Sequence, residues 1–226
     1  MDDFTLTDDR LRTALQNLRW INRWLGGYRA SHAVLAPLLR RHSTLQVLDV
    51  GTGGGDYLPE FVRWGRTADC RVTAVGVDLN PVTVGHGRAW LDTALPGGLR
   101  SRARIDIGDA LSLPYPDDAF DVGHAALFLH HLYDDEARRL LRELQRVSRR
   151  GILINDLHRH PWAYAGIWAL SRLLAFSPMV QHDGPLSVRR GFRRSDLQAL
   201  AANAGLPSPR IRWHWAFRWT LSTLPA

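Results

Sequence analysis

The sequence predicts a doubly wound α/β fold: a mostly parallel seven-stranded sheet with a C-terminal antiparallel hairpin and an N-terminal helical cap. Three observations carry this expectation. From Leu45 onward, short apolar runs alternate with stretches of helical periodicity, the pattern of parallel strands joined by crossover helices. A glycine-rich turn follows the first of those runs. The tail holds two short strand-like runs just after Pro207 and Pro209, where proline is tolerated. A chain of 226 residues, 45% apolar and 23% charged, suits one domain of ordinary globular composition.

The elements follow in order. Asp8–Trp24 places Leu11, Leu15, Leu18 and Ile21 at helical spacing. Gly26-Gly27 breaks the pattern, and a second helix is expected over Arg29–Arg40, so residues 1–43 read as the cap and 44–226 as the main body. Strands are expected at Leu45–Val50, Arg71–Val77, Ala103–Ile107, Phe120–Ala126, Gly151–Asn155, Arg210–His214 and Phe217–Ser222. Helices are expected at Asp56–Trp64, Pro81–Leu95 and Asp134–Arg149. An apolar helix over Trp162–Phe176 forms an insertion, 161–177, after the fifth strand. A last short helix starts at Ser195, with Ser195 and Gln198 at capping-box spacing, and stops at Gly205.

Composition narrows the chemistry. Cys70 is the sole cysteine, which excludes an intrachain disulfide framework and a cysteine zinc site. All 29 basic residues are arginine, so lysine Schiff-base or general-base chemistry is excluded. The acidic start, Met1-Asp2-Asp3-Phe4, lacks the positive patch of a signal peptide, and no uncharged apolar run is long enough to span a bilayer. The expectation is a cytoplasmic protein, monomer or homodimer. Residues 1–137 carry 14 arginines and 18 acids, whereas residues 138–226 carry 15 and 4. That basic half suits nucleic acid, an anionic membrane surface, an acidic carrier or an anionic substrate, or is a solvated surface.

The most informative stretch is Asp49-Val50-Gly51-Thr52-Gly53-Gly54-Gly55-Asp56. A strand that turns tightly into a helix beside a ligand needs glycine. The spacing is G-x-G-x-G, and Asp56 stands where a dinucleotide fingerprint needs Gly or Ala. A carboxylate there repels a pyrophosphate but tolerates a ligand bearing an ammonium or sulfonium. The second strand ends at Asp78, placed to accept both hydroxyls of a ribose.

With Asp49-x-Gly51-x-Gly53-x-Gly55 and Asp78, the segments Ile107-Gly108-Asp109-Ala110 and Phe120-Asp121-Val122 resemble the class I S-adenosylmethionine-dependent methyltransferases. Leu127-Phe128-Leu129-His130-His131-Leu132-Tyr133-Asp134 points within them to the small-molecule group of ubiquinone and menaquinone methyltransferases. The resemblance covers about residues 44–224 and implies a Rossmann-like fold. It also implies that Asp49, Gly51, Thr52, Gly53 and Gly55 meet the methionine part of the cofactor and Asp78 the ribose. Leu79, Asp109 and Ala110 would meet the adenine, and Leu127 would lie near the sulfonium. Arg23, Tyr28 and Arg29 are candidates to cover the cofactor carboxylate.

Methyl transfer to a hydroxyl requires docking behind the methyl group, exclusion of water and removal of a proton. Ligands in doubly wound sheets sit beyond the carboxyl ends of the strands. His130 and His131 follow the fourth strand, and His158 and His160 the fifth. His131 is the first candidate for general base and His130 the second, with Asp156 available to orient a histidine such as His158. No metal is expected, although Asp156-x-His158-x-His160 has the alternation of a ligand set. Trp162 and Trp168 of the apolar insertion suit a roof over a flat or lipophilic acceptor; otherwise that helix is buried against the sheet or a dimer partner. Trp20 and Trp24 are candidates for the opposite wall, and Arg190, in the cluster 188–194, for an anionic substituent or membrane headgroups.

The function expected is therefore O-methylation of a small aromatic or phenolic acceptor, of polyketide or quinone-precursor type. C-methylation of a quinol or polyketide carbon is the nearest alternative, since both remove a proton. RNA methylation and cofactor binding without turnover are more remote. Nucleic acid is disfavoured because Ala126-Leu127-Phe128-Leu129 replaces the Asn/Asp-Pro-Pro-aromatic segment of amino methylation and Cys70 is far from the site.

Overall fold

The structure is a computed structural model that describes residues 8–225. The amino-terminal reading of Met1–Phe4 lies outside these residues. Helix α1 (Asp8–Trp24) buries Leu11, Leu15 and Ile21 on one stripe. Gly26 then takes a left-handed φ of 74°, and a Cβ there would stand 2.3 Å from the Trp215 carbonyl oxygen. Both the turn and the close approach therefore exclude other residues. Helix α2 (Gly27–Arg41) follows at once.

The core alternates as expected: β1 (Thr44–Val50), α3 (Tyr57–Thr67), β2 (Arg71–Asp78), α4 (Pro81–Ala94), β3 (Ala103–Ile107), β4 (Val122–Ala126), α5 (Asp134–Val147) and β5 (Ile152–Leu157). Then come α6 (Pro161–Leu173), α7 (Pro178–Arg190), α8 (Arg194–Ala204), β6 (Arg210–His214) and β7 (Arg218–Ser222). The sheet order is β3-β2-β1-β4-β5-β7-β6, with β7 antiparallel to both neighbours. Helices cover both faces, so β4 and β5 are buried along nearly their whole length and β1 from Val47 onward, with Asp49, His124, Asn155 and Asp156 as buried polar residues. Two clusters fill the interior. One joins α5 and α8 to the sheet through Leu140, Leu144, Leu197 and Ala201; the other joins α2, α3 and α4 through Leu38, Phe61 and Leu91.

The chain leaves β1 in one direction to β2 and β3 and returns on the other side to β4 and β5, so a crevice opens between β1 and β4 at their carboxyl ends. Among the described residues no helix is long and apolar enough to cross a membrane.

Several boundaries differ from the expectation. β4 starts at Val122, because Phe120 makes only an isolated bridge to Ser148. β5 continues to Leu157 because β7 pairs with it that far, and β7 starts at Arg218 because Phe217 has a φ of 58°. The last helix is not capped by Ser195 and Gln198: Asp196 accepts the Arg193 backbone N–H at 2.8 Å, so the helix begins one residue earlier. A second helix follows the expected one. α6 ends at Leu173, and the Ser177 side chain caps a separate α7. The alternative in which α6 is simply buried against the sheet does not hold: Ser171 is its one buried residue.

Candidate active site

The glycine loop shows why its spacing is fixed. Gly51, Gly53 and Gly55 have φ of 60°, 53° and 67°, all left-handed. A Cβ on Gly51 would enter the Phe128 ring at 2.3 Å, and one on Gly55 would meet Ile105 at 2.6 Å. A Cβ on Gly53 would meet nothing within 4 Å, so this glycine faces open space. Thr52 donates its hydroxyl to Asp49 at 2.7 Å, and the other Asp49 oxygen lies 2.7 Å from His124 Nδ1. His124 Nε2 in turn lies 2.9 Å from Ser31 Oγ, and Asn155 donates to that same hydroxyl and to the Gly27 carbonyl. Asp49 thus shapes the loop through a buried polar chain that reaches α2, β4 and β5.

Asp78 accepts the backbone N–H of Gly53 at 2.8 Å and that of Asn80 at 3.0 Å, which sets its carboxylate against the loop. Leu79 and Ile107 are 60% and 53% exposed and bound an open shelf beyond β2 and β3. Asp109 stands beside them with Oδ1 accepting from the Leu111 N–H, and Ala110 is buried beneath. These residues form an apolar shelf edged by two carboxylates.

From the loop, a cavity of about 390 Å³ runs under α1, α6 and α7. Leu15, Leu18, Ile167, Leu170, Met179 and Val180 make most of its wall apolar. Its polar lining includes Arg19, Asn22, Asp56, His130, His131 and Arg218. Leu127 also lines it, in a left-handed backbone with φ 52° just after β4, a costly conformation for a residue with a side chain.

Two polar groups organise this lining. At the loop end, the Asp56 carboxylate accepts from Asn22 Nδ2 at 3.0 Å and from the Tyr28 hydroxyl at 2.9 Å. Burial pushes the Asp56 carboxyl up, against the opposing pull of those hydrogen bonds and of Arg19. Burial and the adjacent Asp56 charge push the Tyr28 hydroxyl far up, so it stays a donor. Arg19 donates to the Gly54 carbonyl at 3.2 Å and stacks on Trp90, leaving its buried Nε without a hydrogen-bond partner. At the other end, His130 Nδ1 lies 2.7 Å from Asp156 Oδ1, and the His130 backbone N–H also donates to that carboxylate. Burial alone would raise the Asp156 carboxyl, but His130 and the backbone N–H groups of Leu157 and His130 hold it below the usual range. His130 Nε2 is buried and has no hydrogen-bond partner. The His131 ring stacks beside it at 4.2 Å.

The structure therefore gathers Asp49, Gly51, Thr52, Gly53, Leu127, His130, His131 and Trp162 on one cavity and sets Asp78, Leu79, Asp109 and Ala110 on the adjoining shelf. It moves other expected residues away. Tyr28 is not on the cavity wall and bonds Asp56; Arg23 and Arg29 are exposed, and the arginine that lines the cavity at the loop is Arg19. Asp156 orients His130 rather than His158. His158 packs against His160 and Trp219 behind the wall, and burial beside His160 pushes its imidazole down. Asp156, His158 and His160 do not converge, and no metal-ligating cluster occurs among the described residues. Trp20 packs edge-on against Phe176, and Trp24 is 59% exposed, so neither forms a wall. Trp168 faces outward under Arg172, and Arg190 is exposed at the end of α7.

Asn22, Arg19 and Arg218 were not foreseen. Arg218 alone left a signal: an arginine inside the apolar run Trp215–Leu221. The basic half is also less open than its count suggests. Arg146 binds Glu143 and Asp117, Arg149 and Arg150 bind Asp121, and Arg159 binds Asp196.

Comparison with known proteins agrees with this geometry. A methyltransferase domain family matches residues 47–151. A demethylmenaquinone methyltransferase of Roseiflexus sp. (strain RS-1) is 36% identical over 148 residues, 64% of this chain and 57% of that protein. The enzyme of the same name from Roseiflexus castenholzii is 34% identical over 172 residues, 71% of this chain and 67% of that protein. Proteins named for N- and O-methylation also match, over 36% and 39% of their own lengths, so the chain spans only part of several relatives. A solved S-adenosylmethionine-dependent methyltransferase from Aquifex aeolicus shares the fold at a TM-score of 0.61 and 18% identity, covering 84% of this chain and 87% of that one.

Proposed function

The chain belongs to the class I S-adenosylmethionine-dependent methyltransferases, and from that premise we propose that it methylates the hydroxyl of a small aromatic acceptor, with His130 as general base. One observation carries the proposal: a histidine oriented by a buried carboxylate, its second nitrogen unpartnered, on the wall of a cavity continuous with the glycine loop.

The residues present fit the cofactor. Gly53 leaves the space that a Cβ would fill, and Asp56 and Arg19 offer opposite charges at the loop for an ammonium and a carboxylate. Asp78 and Asp109 border the shelf for ribose and adenine. S-adenosylmethionine, when bound, supplies a methyl group on positively charged sulfur. The chain's own residues do the rest. The α6–α7 roof and the α1 wall exclude water and hold a flat, apolar ring. Asp156 accepts from His130 Nδ1–H, which fixes the tautomer and leaves Nε2 as the proton acceptor. A phenol is only about one part in a thousand ionised at neutral pH, so a positioned base contributes roughly 10²–10⁴ in rate. His130 replaces His131 as first candidate because Asp156 orients it; His131 stacks against it and narrows the cavity.

C-methylation of a quinol is the second reading, favoured by the two Roseiflexus relatives, and it uses the same base. The test incubates the protein with isotope-labelled S-adenosylmethionine and a panel of phenols, naphthols and quinols, then locates the methyl group by NMR. A methyl on oxygen supports the proposal, a methyl on ring carbon selects the second reading, and no transfer to any hydroxylated ring refutes both.

A further inference from the structure

We propose that the acceptor carries a carboxylate and that Arg218 binds it, an inference that rests on the methyl-transfer reading and names its substrate class. Arg218 opens β7 opposite Leu157 of β5, is 1% exposed and lines the cavity. Its Nη2 donates to Asn22 Oδ1 at 3.0 Å, whereas its buried Nη1 has no hydrogen-bond partner. Burial pushes this guanidinium down, with Tyr57, Asp156 and Asp56 opposing, yet arginine keeps its charge in proteins. A buried cation with an unmade hydrogen bond is costly unless something completes it.

No neighbouring carboxylate bonds Nη1. Asp56 takes Asn22 and Tyr28 on Oδ2, and Asp156 takes His130 and two backbone N–H groups. Nor is the carboxylate of the methyl donor the better occupant. Arg19 already stands at the glycine loop with its Nε unpartnered, whereas Arg218 grows from a strand separated from β1 by β4 and β5. Two residues that line one apolar cavity thus carry buried, unpartnered nitrogens: His130 Nε2, which takes a proton, and Arg218 Nη1, which can only donate. A flat hydroxy-acid, its hydroxyl on His130 and its carboxylate on Arg218, satisfies both.

Calorimetry on the full chain saturated with S-adenosylhomocysteine tests this with 1-hydroxy-2-naphthoate against 1-naphthol. The acid is expected to bind roughly 10- to 100-fold more tightly. Arg218→Met should abolish that preference with donor affinity unchanged, and Arg218→Lys should restore part of it. Equal binding of the two ligands to the unaltered protein overturns the proposal, whether or not the variants fold. So does an Arg218→Met variant that loses donor affinity and keeps the preference, which would reassign the guanidinium to the donor's own carboxylate. If the preference holds but no acceptor is methylated, the subsite stands and the methyl-transfer reading falls. If both naphthols are methylated without preference, the reverse is true.

Discussion

Replacing Asp156 with asparagine separates the two histidines as bases. Asp156 is 1% exposed and accepts from His130 Nδ1 at 2.7 Å, from the His130 N–H at 3.2 Å and from the Leu157 N–H at 2.7 Å. Asparagine keeps one acceptor oxygen and turns the other position into a donor. The Leu157 N–H and His130 Nδ1 share Oδ1 while the His130 N–H uses Oδ2, so wherever the new NH2 group stands it confronts a backbone N–H. In either placement the buried anion that stabilises the His130 imidazolium is gone, and the base is weakened although the histidine remains. The expected fall in kcat is that of losing the base, about 10²–10⁴, or roughly 2.7–5.5 kcal/mol of transition-state stabilisation. Loss of hydrogen bonds to a charged group costs stability by about 1.5–3 kcal/mol. Steady-state kinetics with a naphthol acceptor, donor affinity by calorimetry and chemical denaturation separate these effects. His130→Gln should match Asp156→Asn in kcat, and donor affinity should persist in both. Rates within threefold of the parent, or a larger loss in His131→Ala than in either, would refute the assignment to His130.

The glycine loop yields a contrast between neighbours. Gly51→Ala drives a Cβ into the Phe128 ring and into a left-handed φ, for an expected loss of about 2–4 kcal/mol in urea unfolding. Gly53→Ala carries only the backbone term of about 1–2 kcal/mol, but its methyl stands in the ligand space, so donor affinity should drop; unchanged affinity would show that the donor lies elsewhere. Asn22→Ala removes one of the two hydrogen bonds that seat the Asp56 carboxylate and should raise the Kd for the donor while destabilising the fold by about 1–3 kcal/mol, read by calorimetry and denaturation. Stability should also follow pH in a defined direction. Burial lowers His158, His214 and His32 from the ordinary 6.5, so the unfolded chain binds more protons and stability falls as pH drops through about 6.5. A further loss below about pH 3.8 belongs to Asp156, whose carboxyl is depressed in the fold. Midpoints flat between pH 7 and 5 would contradict the first of these steps.

What could be read from the sequence follows a physical division. The glycine loop was legible because three left-handed φ angles leave glycine as the sole comfortable residue, and Asp78 because a strand end fixes its position. The central strands were legible because helices on both faces bury most of their residues. α7 was missed although Ser177-Pro178 is a sound helix start, since Gly184 and Pro185 interrupt its interior. Trp24 and Trp168 were misplaced because aromatic character does not say which face of a helix turns inward. The Asn22–Arg218 contact joins residues 196 positions apart, and no local spacing encodes such a meeting.

The roof over the cavity has an energetic consequence. α6 is a 13-residue helix that buries one small side chain, Ser171, while Trp162 and Leu173 are 73% and 82% exposed. So short a helix is marginal by itself, and little packing holds this one down. Its amide hydrogens should exchange with solvent deuterium through local opening, long before those of β1, β4 and β5, which await global unfolding. Breathing of this kind opens a way into the cavity beneath.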